Sequence, residues 1–189
     1  MKEKIRQALS SLQKNSISDI RLTESAVLLP IFCKEGECHI LFTQRSNKVA
    51  YHKGQASFPG GTRSESDMNL LDTAIRESWE EVGLEAEDVE ILGELDDIPT
   101  TTGFVISPFV ASIPYPYEFR VSHREIDEIF DMPVSTLLHK ANIRPERYVI
   151  NGQVALSCSY EYGGRCVWGA TARILKQFLE VFQLASGAR

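Results

Sequence analysis

No apolar run in this chain approaches the roughly 18 residues needed to cross a membrane, and its first fifteen residues, MKEKIRQALSSLQKN, are too polar for a secretory signal. A cytoplasmic protein is therefore expected, with no membrane partner. A basic surplus is also missing. The 20 Lys and Arg stand against 26 Asp and Glu, a net charge of −6, whereas a nucleic-acid backbone requires a basic footprint. Only four cysteines occur, Cys33, Cys38, Cys158 and Cys166, with no CxxC and no histidines paired at zinc spacing. Each pair could face across a hairpin, and reduced thiols suit the compartment. His39, His52, His123 and His139 are scattered, and Ser57 lacks the G-x-S-x-G setting of a hydrolase elbow. Repeats, low-complexity stretches and internal linkers are absent as well.

What the chain does have is 189 residues with 43% hydrophobic and 24% charged content, which suits one domain spanning 1–189 around a sizeable core. Ile5, Leu9 and Leu12 predict an amphipathic helix within residues 2–14, and residues 1–24 read as that helix plus a polar connector. The run SAVLLPIFC (25–33) predicts a strand in which Pro30 marks an edge or a bulge. A turn at 34–37 and the run CHILFTQ (38–44) complete a hairpin. Further strands are expected at 89–95, at 104–113 interrupted by Pro108, at 125–130, 147–154 and 156–160. A short helix at 133–139 and a closing amphipathic helix at 168–182, with Ala172, Leu175, Phe178, Leu179 and Phe182 inward, complete the pattern. Mixed elements of this kind give an α/β domain with helices on both sides of a mixed sheet.

The stretch 60–84, GGTRSESDMNLLDTAIRESWEEVGL, organises the rest. At about 100° per residue, Glu77, Glu80 and Glu81 fall within one helical stripe about 100° wide, although like charges three and four residues apart repel. Leu71, Ile75, Trp79 and Val82 form the opposite, apolar side and are expected to pack on the core. A bound divalent cation is the natural compensation for the crowded carboxylates, because hard cations take oxygen ligands together with water and phosphates. Arg76 flanks the stripe, where it can hold one carboxylate in a bidentate pair, and Gly83 ends the helix. The competing reading is a solvated acidic face.

Arg76-Glu77-x-x-Glu80-Glu81-x-Gly83-Leu84 after Gly60-Gly61 resembles the signature of the Nudix hydrolases: G, five residues, E, seven residues, then REUxEExGU, with U bulky and apolar. Two positions differ. Asp67 stands where the pattern has Glu, with eight residues rather than seven before Arg76, and Ser78 occupies a U position. The resemblance implies an αβα sandwich with the acidic helix against the sheet, and Mg²⁺ or Mn²⁺ held by Glu77, Glu80 and Glu81 with the Gly61 carbonyl as a backbone ligand. It also implies Arg76 orienting a glutamate, and a general base drawn from Glu125, Asp127 or Glu128, of which Glu125 is preferred.

Residues 41–46 (LFTQRS), Gly54, Phe58-Pro59-Gly60-Gly61 and Trp168-Gly169-Ala170-Thr171-Ala172-Arg173 are similar to extra motifs of the coenzyme A diphosphatase branch. Here Phe42 replaces Leu, Ala50 replaces Arg and Ala56 replaces Val. The implied reaction splits coenzyme A or an acyl-CoA into 4′-phosphopantetheine and adenosine 3′,5′-bisphosphate. Arg45, Lys53 and Gly60 would meet the substrate, with Lys48, Lys53 or Arg45 supplying the cation that Ala50 lacks. Two alternatives stand beside it: a hydrolase of another nucleoside diphosphate derivative such as ADP-ribose or a sugar nucleotide, and a non-catalytic, regulatory nucleotide-binding domain. The sequence leaves monomer and homodimer both open.

Overall fold

The structure is a computed structural model and describes residues 1–46, 54–150 and 153–187. The chain begins with α1 (Lys2–Ser10) and then forms β1 (Thr23–Lys34), β2 (Glu37–Arg45), β3 (Ala56–Ser57), β4 (Gly60–Thr62) and α2 (Leu70–Val82). It continues through β5 (Glu90–Glu94), β6 (Ile98–Pro99), β7 (Phe104–Ser112), β8 (Ile126–Pro133) and α3 (Val134–Leu138). A meander of β9 (Ile143–Ile150), β10 (Gln153–Tyr162) and β11 (Arg165–Val167) leads into α4 (Gly169–Ser186). Helix α1 stops four residues short of the expected 14. The Ser10 and Ser11 hydroxyls donate back to the carbonyls of Gln7 (2.9 Å) and Ala8 (2.7 Å), a competition with the helix ladder that serines favour at helix ends.

The main sheet is mixed, in the order β3-β2-β1-β7-β5, with β4 on β1, β6 on β7 and β8 on β2. Strands β9 to β11 form a separate three-stranded sheet. β1 and β2 make the expected hairpin, in which Cys33 faces Cys38 as free thiols, and burial pushes the Cys38 thiol up to about 12. β1 also runs parallel to β7, from Thr23 opposite Phe104 to Ile31 opposite Ser112.

Pro30 therefore lies in an inner strand, which corrects the edge assignment. Its missing N–H falls where β1 changes antiparallel partner, between the pairing of 25–27 with β4 and that of 31–34 with β2, so no ladder bond is lost. Pro108 follows the same logic without interrupting β7, since it sits between the residues paired to β6 (105 and 106) and those paired to β5 (109–112).

Alternation along the strands divides the core in two. One side packs Leu29, Ile31, Ile40 and Phe42 against α1 and against Ala172, Ile174, Leu175, Phe178, Leu179 and Val181 of α4, with Phe182 half-buried beside them. Phe42 stacks between Phe58 and Phe130, at 5.0 and 5.4 Å. The other side packs Ala26, Leu28, Leu41, Phe109 and Ala111 against Ala74 and Val82 of α2. Each large side chain so buried contributes about 1.5–3 kcal/mol, and together they fix α2 on the sheet. Helices on both sheet faces give the expected α/β sandwich.

Candidate active site

Helix α2 has a defined start and stop. The Asn69 side chain accepts from the Asp72 amide at 3.0 Å, an N-cap. Gly83 adopts φ 69°, and the amides of Gly83 and Leu84 bond back to Trp79 and Ser78, a Schellman-type ending that a side chain at Gly83 would strain. Its inward face is Thr73, Ala74, Ser78, Glu81 and Val82. The expected apolar side is thus rotated: Trp79 is 52% exposed, and Leu71 and Ile75 are half-buried. The i, i+4 ladder Ala74–Ser78–Val82 takes the place against the sheet, and Ser78 is satisfied there by donating to the Ala74 carbonyl at 2.7 Å. The bulky position of the signature is filled by a small residue, and the helix rests on β1 and β4.

The contact with β4 explains the two glycines. A Cβ on Gly60, whose φ is +155°, would lie 2.3 Å from the Ala26 carbonyl oxygen and 2.6 Å from Val27 Cα. A Cβ on Gly61 would meet the Glu77 carboxylate instead, at 2.5–2.6 Å from Cδ and both oxygens. Absent side chains on β4 thus create the room that the Glu77 carboxylate uses.

The three glutamates occupy three environments. Glu81 is buried, 2% exposed. It accepts from the Gly60 amide at 3.2 Å and lies 3.7 Å from Arg45 Nη1. Burial pushes its carboxyl up to about 8 against the pull of Arg45, and the charges of Glu77 and Glu125 add to the rise. Glu77 is raised for the same first reason, with Arg76 opposing and Glu80 and Glu125 adding. The Glu80 side chain is about half exposed.

Arg76 ties this cluster to the preceding loop. Its Nε and Nη2 form a bidentate pair with Asp67 at 2.9 and 3.0 Å, Nη1 reaches Glu77 at 2.8 Å and Glu80 at 3.4 Å, and Nη2 donates to the Thr62 carbonyl at 3.2 Å. The bidentate partner is Asp67, the residue that departs from the signature; Glu77 receives a single bond. Asp67 also accepts from the Ser64 amide and the Thr73 hydroxyl, and Arg76 above all holds its carboxyl far below the usual carboxylate range.

Arg45 reaches Glu81 from the end of β2, where a register shift between Gln44 and Arg45 skips Asp127 on β8, a bulge of the kind that re-aims a side chain. Its Nε is buried and has no hydrogen-bond partner among the described residues. Glu125 lies just before β8, exposed, with its carbonyl accepting from the Ser46 amide at 2.7 Å. Glu128 pairs with Arg165 at 2.7 Å, which lowers its carboxyl, and Asp127 is exposed. Lys53, together with Lys48, Ala50 and His52, lies outside the described residues. In the C-terminal stretch Trp168 is exposed just before α4, and Arg173 Nη1 donates to the Pro99 carbonyl at 2.8 Å.

Sequence reasoning missed the segment 120–122. The Arg120 and Ser122 amides donate to the Val82 and Glu81 carbonyls at 2.9 and 2.8 Å, so this loop is fastened to the last turn of α2. Backbone amides leave no mark in a sequence pattern.

Among the described residues, no three His, Cys, Asp or Glu side chains form a preassembled metal cage. The donor set nevertheless fits a hard cation. Glu77 and Glu81 are crowded, partly or wholly desolvated carboxylates, and Glu80 opens to solvent beside them. Mg²⁺ is commonly held this way, by a few carboxylates with waters and phosphates completing its shell.

Comparisons with known proteins bear on the family and the fold. A family profile described as NUDIX domain matches residues 22–149. The chain is similar to NudL of Citrobacter koseri, described as an uncharacterized Nudix hydrolase, at 34% identity over 154 residues, covering 82% of this chain and 80% of that protein. Among solved structures, the MutT/nudix family protein from Enterococcus faecalis superposes with TM-score 0.57 at 13% identity, over 94% of this chain and 66% of that one. The MutT protein from Methanosarcina mazei gives 0.54 at 18%, over 94% and 99%. The two structures bear on the fold alone.

Proposed function

The chain belongs to the Nudix hydrolase family, and from that premise we propose that it is a metal-dependent pyrophosphohydrolase of nucleoside diphosphate derivatives, cleaving coenzyme A or an acyl-CoA to 4′-phosphopantetheine and adenosine 3′,5′-bisphosphate. The observation that carries the reading is the pairing of a buried Glu81 with Glu77 and Glu80 on one rigid helix, directly over Gly60-Gly61.

A diphosphate resists attack because negative oxygens shield both phosphorus atoms, so its hydrolysis needs charge neutralisation and a positioned water. Bound Mg²⁺ or Mn²⁺ would supply both, as Lewis acid and as activator of water. Glu77, Glu80 and Glu81 would hold the ions, with the Gly61 carbonyl beside them. Asp67 fixes Arg76, and Arg76 in turn holds Glu77 and Glu80 in place. Arg45 faces the same cluster, 3.7 Å from Glu81, and its guanidinium would be available to meet a phosphate oxygen of the substrate. Glu125 is the proposed general base: it is solvent-accessible, and it lies close enough to Glu77 and Glu81 to influence both.

The coenzyme A assignment rests on the motifs at 41–46, 58–61 and 168–173. Incubation with coenzyme A and Mg²⁺ or Mn²⁺, resolved by chromatography, should release both products, and Glu81→Gln should lose nearly all turnover. Intact coenzyme A alongside cleavage of ADP-ribose or a sugar nucleotide would move the assignment to another diphosphate. Nucleotide binding without turnover under any divalent metal would make the domain regulatory.

A further inference from the structure

Helix α2 packs on one face of the main sheet, chiefly against β1 and β4. Beyond Gly83 the face continues as a groove of about 330 Å³, floored by Phe32, Leu41 and Ile129 and walled by Tyr115 and Phe119 of the segment after β7, with Lys34 and Asp131 also lining it. That volume lies in the range of small-molecule sites.

Resting on the diphosphatase reading above, we infer that this groove binds the extended, amide-bearing arm on the far side of the substrate diphosphate, an acyl- or thiol-terminated pantetheine chain, and not the nucleoside base.

Three observations point there. The first is continuity with the cluster. The floor strand β2 runs from Leu41 in the groove to Arg45 beside Glu81, four residues or about 13 Å at 3.3 Å per residue. The wall segment continues into Arg120 and Ser122, whose amides bond the last turn of α2. A pantetheine arm has the backbone length of about four residues, so at 3.3–3.6 Å each it spans the same distance when extended.

The second is the state of the aromatic faces. Phe32 is stacked by His39 on one contact and Tyr115 on another, at 5.7 and 5.1 Å. The Lys34 ammonium lies over the Tyr115 ring at 5.8 Å, and Tyr117 and Phe119 pack on each other at 4.9 Å. These rings are engaged with one another and with a cation, and they lie beside the aliphatic Leu41, Ile113 and Ile129. That surface suits a flexible aliphatic chain better than a flat purine, which needs an open ring face. The third is polarity: Lys34 and Asp131 line one side of an otherwise apolar channel, 3.4 Å apart, and supply a donor and an acceptor for amide groups.

The test uses the two halves of coenzyme A as separate probes. Dissociation constants of 4′-phosphopantetheine and of adenosine 3′,5′-bisphosphate are measured by calorimetry with Mg²⁺ on the wild type, on Ile129→Arg, which fills the floor, and on the exposed-position variant Tyr115→Ala. Circular dichroism and Tm check the fold. The expected result is that Ile129→Arg weakens phosphopantetheine about tenfold or more and Tyr115→Ala weakens it severalfold, while the adenosine half changes less than twofold in both. If folded variants leave phosphopantetheine unchanged, or weaken the adenosine half instead, the groove assignment is wrong while coenzyme A cleavage by the wild type keeps the diphosphatase reading. A wild type that binds neither half and cleaves no coenzyme A overturns both.

Discussion

Adding one methyl group at each of two neighbouring glycines should separate folding from chemistry. At Gly60 the new Cβ would press into the backbone of β1, 2.3 Å from the Ala26 oxygen, at a φ of +155°. Backbone cannot swing aside, so overpacking of about 1–3 kcal/mol adds to a backbone strain of about 1–3 kcal/mol. For a domain of this size each kcal/mol moves Tm by about 2–4 °C, so Gly60→Ala should melt roughly 5–20 °C lower. At Gly61 the same methyl meets only the Glu77 carboxylate, the movable end of a side chain, and φ is not in the strained region. Gly61→Ala should therefore keep Tm within about 2–4 °C. Its turnover should fall by about 100-fold, the usual penalty for displacing a positioned group by an ångström or so. Differential scanning calorimetry and a steady-state diphosphatase assay on both variants provide the readings. A Gly61→Ala protein with wild-type turnover would refute the placement of Glu77 as a working group of the site.

Glu81→Gln should remain folded and lose at least about 100–1,000-fold in turnover, a loss typical of removing one key electrostatic group, as measured on coenzyme A at saturating Mg²⁺. Asp67→Asn should destabilise the loop before α2 by roughly 1.5–3 kcal/mol through the loss of charged hydrogen bonds, read from denaturant midpoints. Because the Asp67 carboxyl is depressed in the fold from its ordinary 3.8, its contribution is fully present above that value and drains away as pH falls below it. The difference between wild type and Asp67→Asn should therefore shrink in acid unfolding below about pH 4, and a constant difference down to pH 2 would contradict the pairing. Trp79→Gln should change stability by no more than about 0.5 kcal/mol, as befits an exposed position, whereas a loss of several kcal/mol would restore the inward reading of that side chain.

Much of the site was legible because its parts repeat at helical spacing. Arg76, Glu77, Glu80 and Glu81, and the stop at Gly83, follow from a wheel and a glycine. The closing helix was equally readable, since its inward leucines and phenylalanines keep their period. Which side of α2 faces the sheet was not, because a wheel ranks side chains by apolarity and so chose Trp79. The fold instead seats Ala74, Ser78 and Val82 against β1 and β4, and it accepts a carboxylate, Glu81, inside.

The strand prolines misled for a related reason. Pro30 and Pro108 forbid only the hydrogen bond at their own position, and whether that bond is needed depends on where neighbouring strands begin and end. Asp67 shows the same limit. Its departure from the signature left its role open, and the three partners that define the role arrive from Ser64, Thr73 and Arg76 only once the loop closes. The aromatic groove depends on a pairing of β2 with β8 that no local pattern announces.

The central claim is that the carboxylates of α2 grip a divalent cation, and Mn²⁺ titration followed by electron paramagnetic resonance tests it without any substrate. Wild-type protein should deplete the free Mn²⁺ signal saturably, and Glu81→Gln should leave that signal nearly untouched. Identical titration curves for the two proteins would contradict the account.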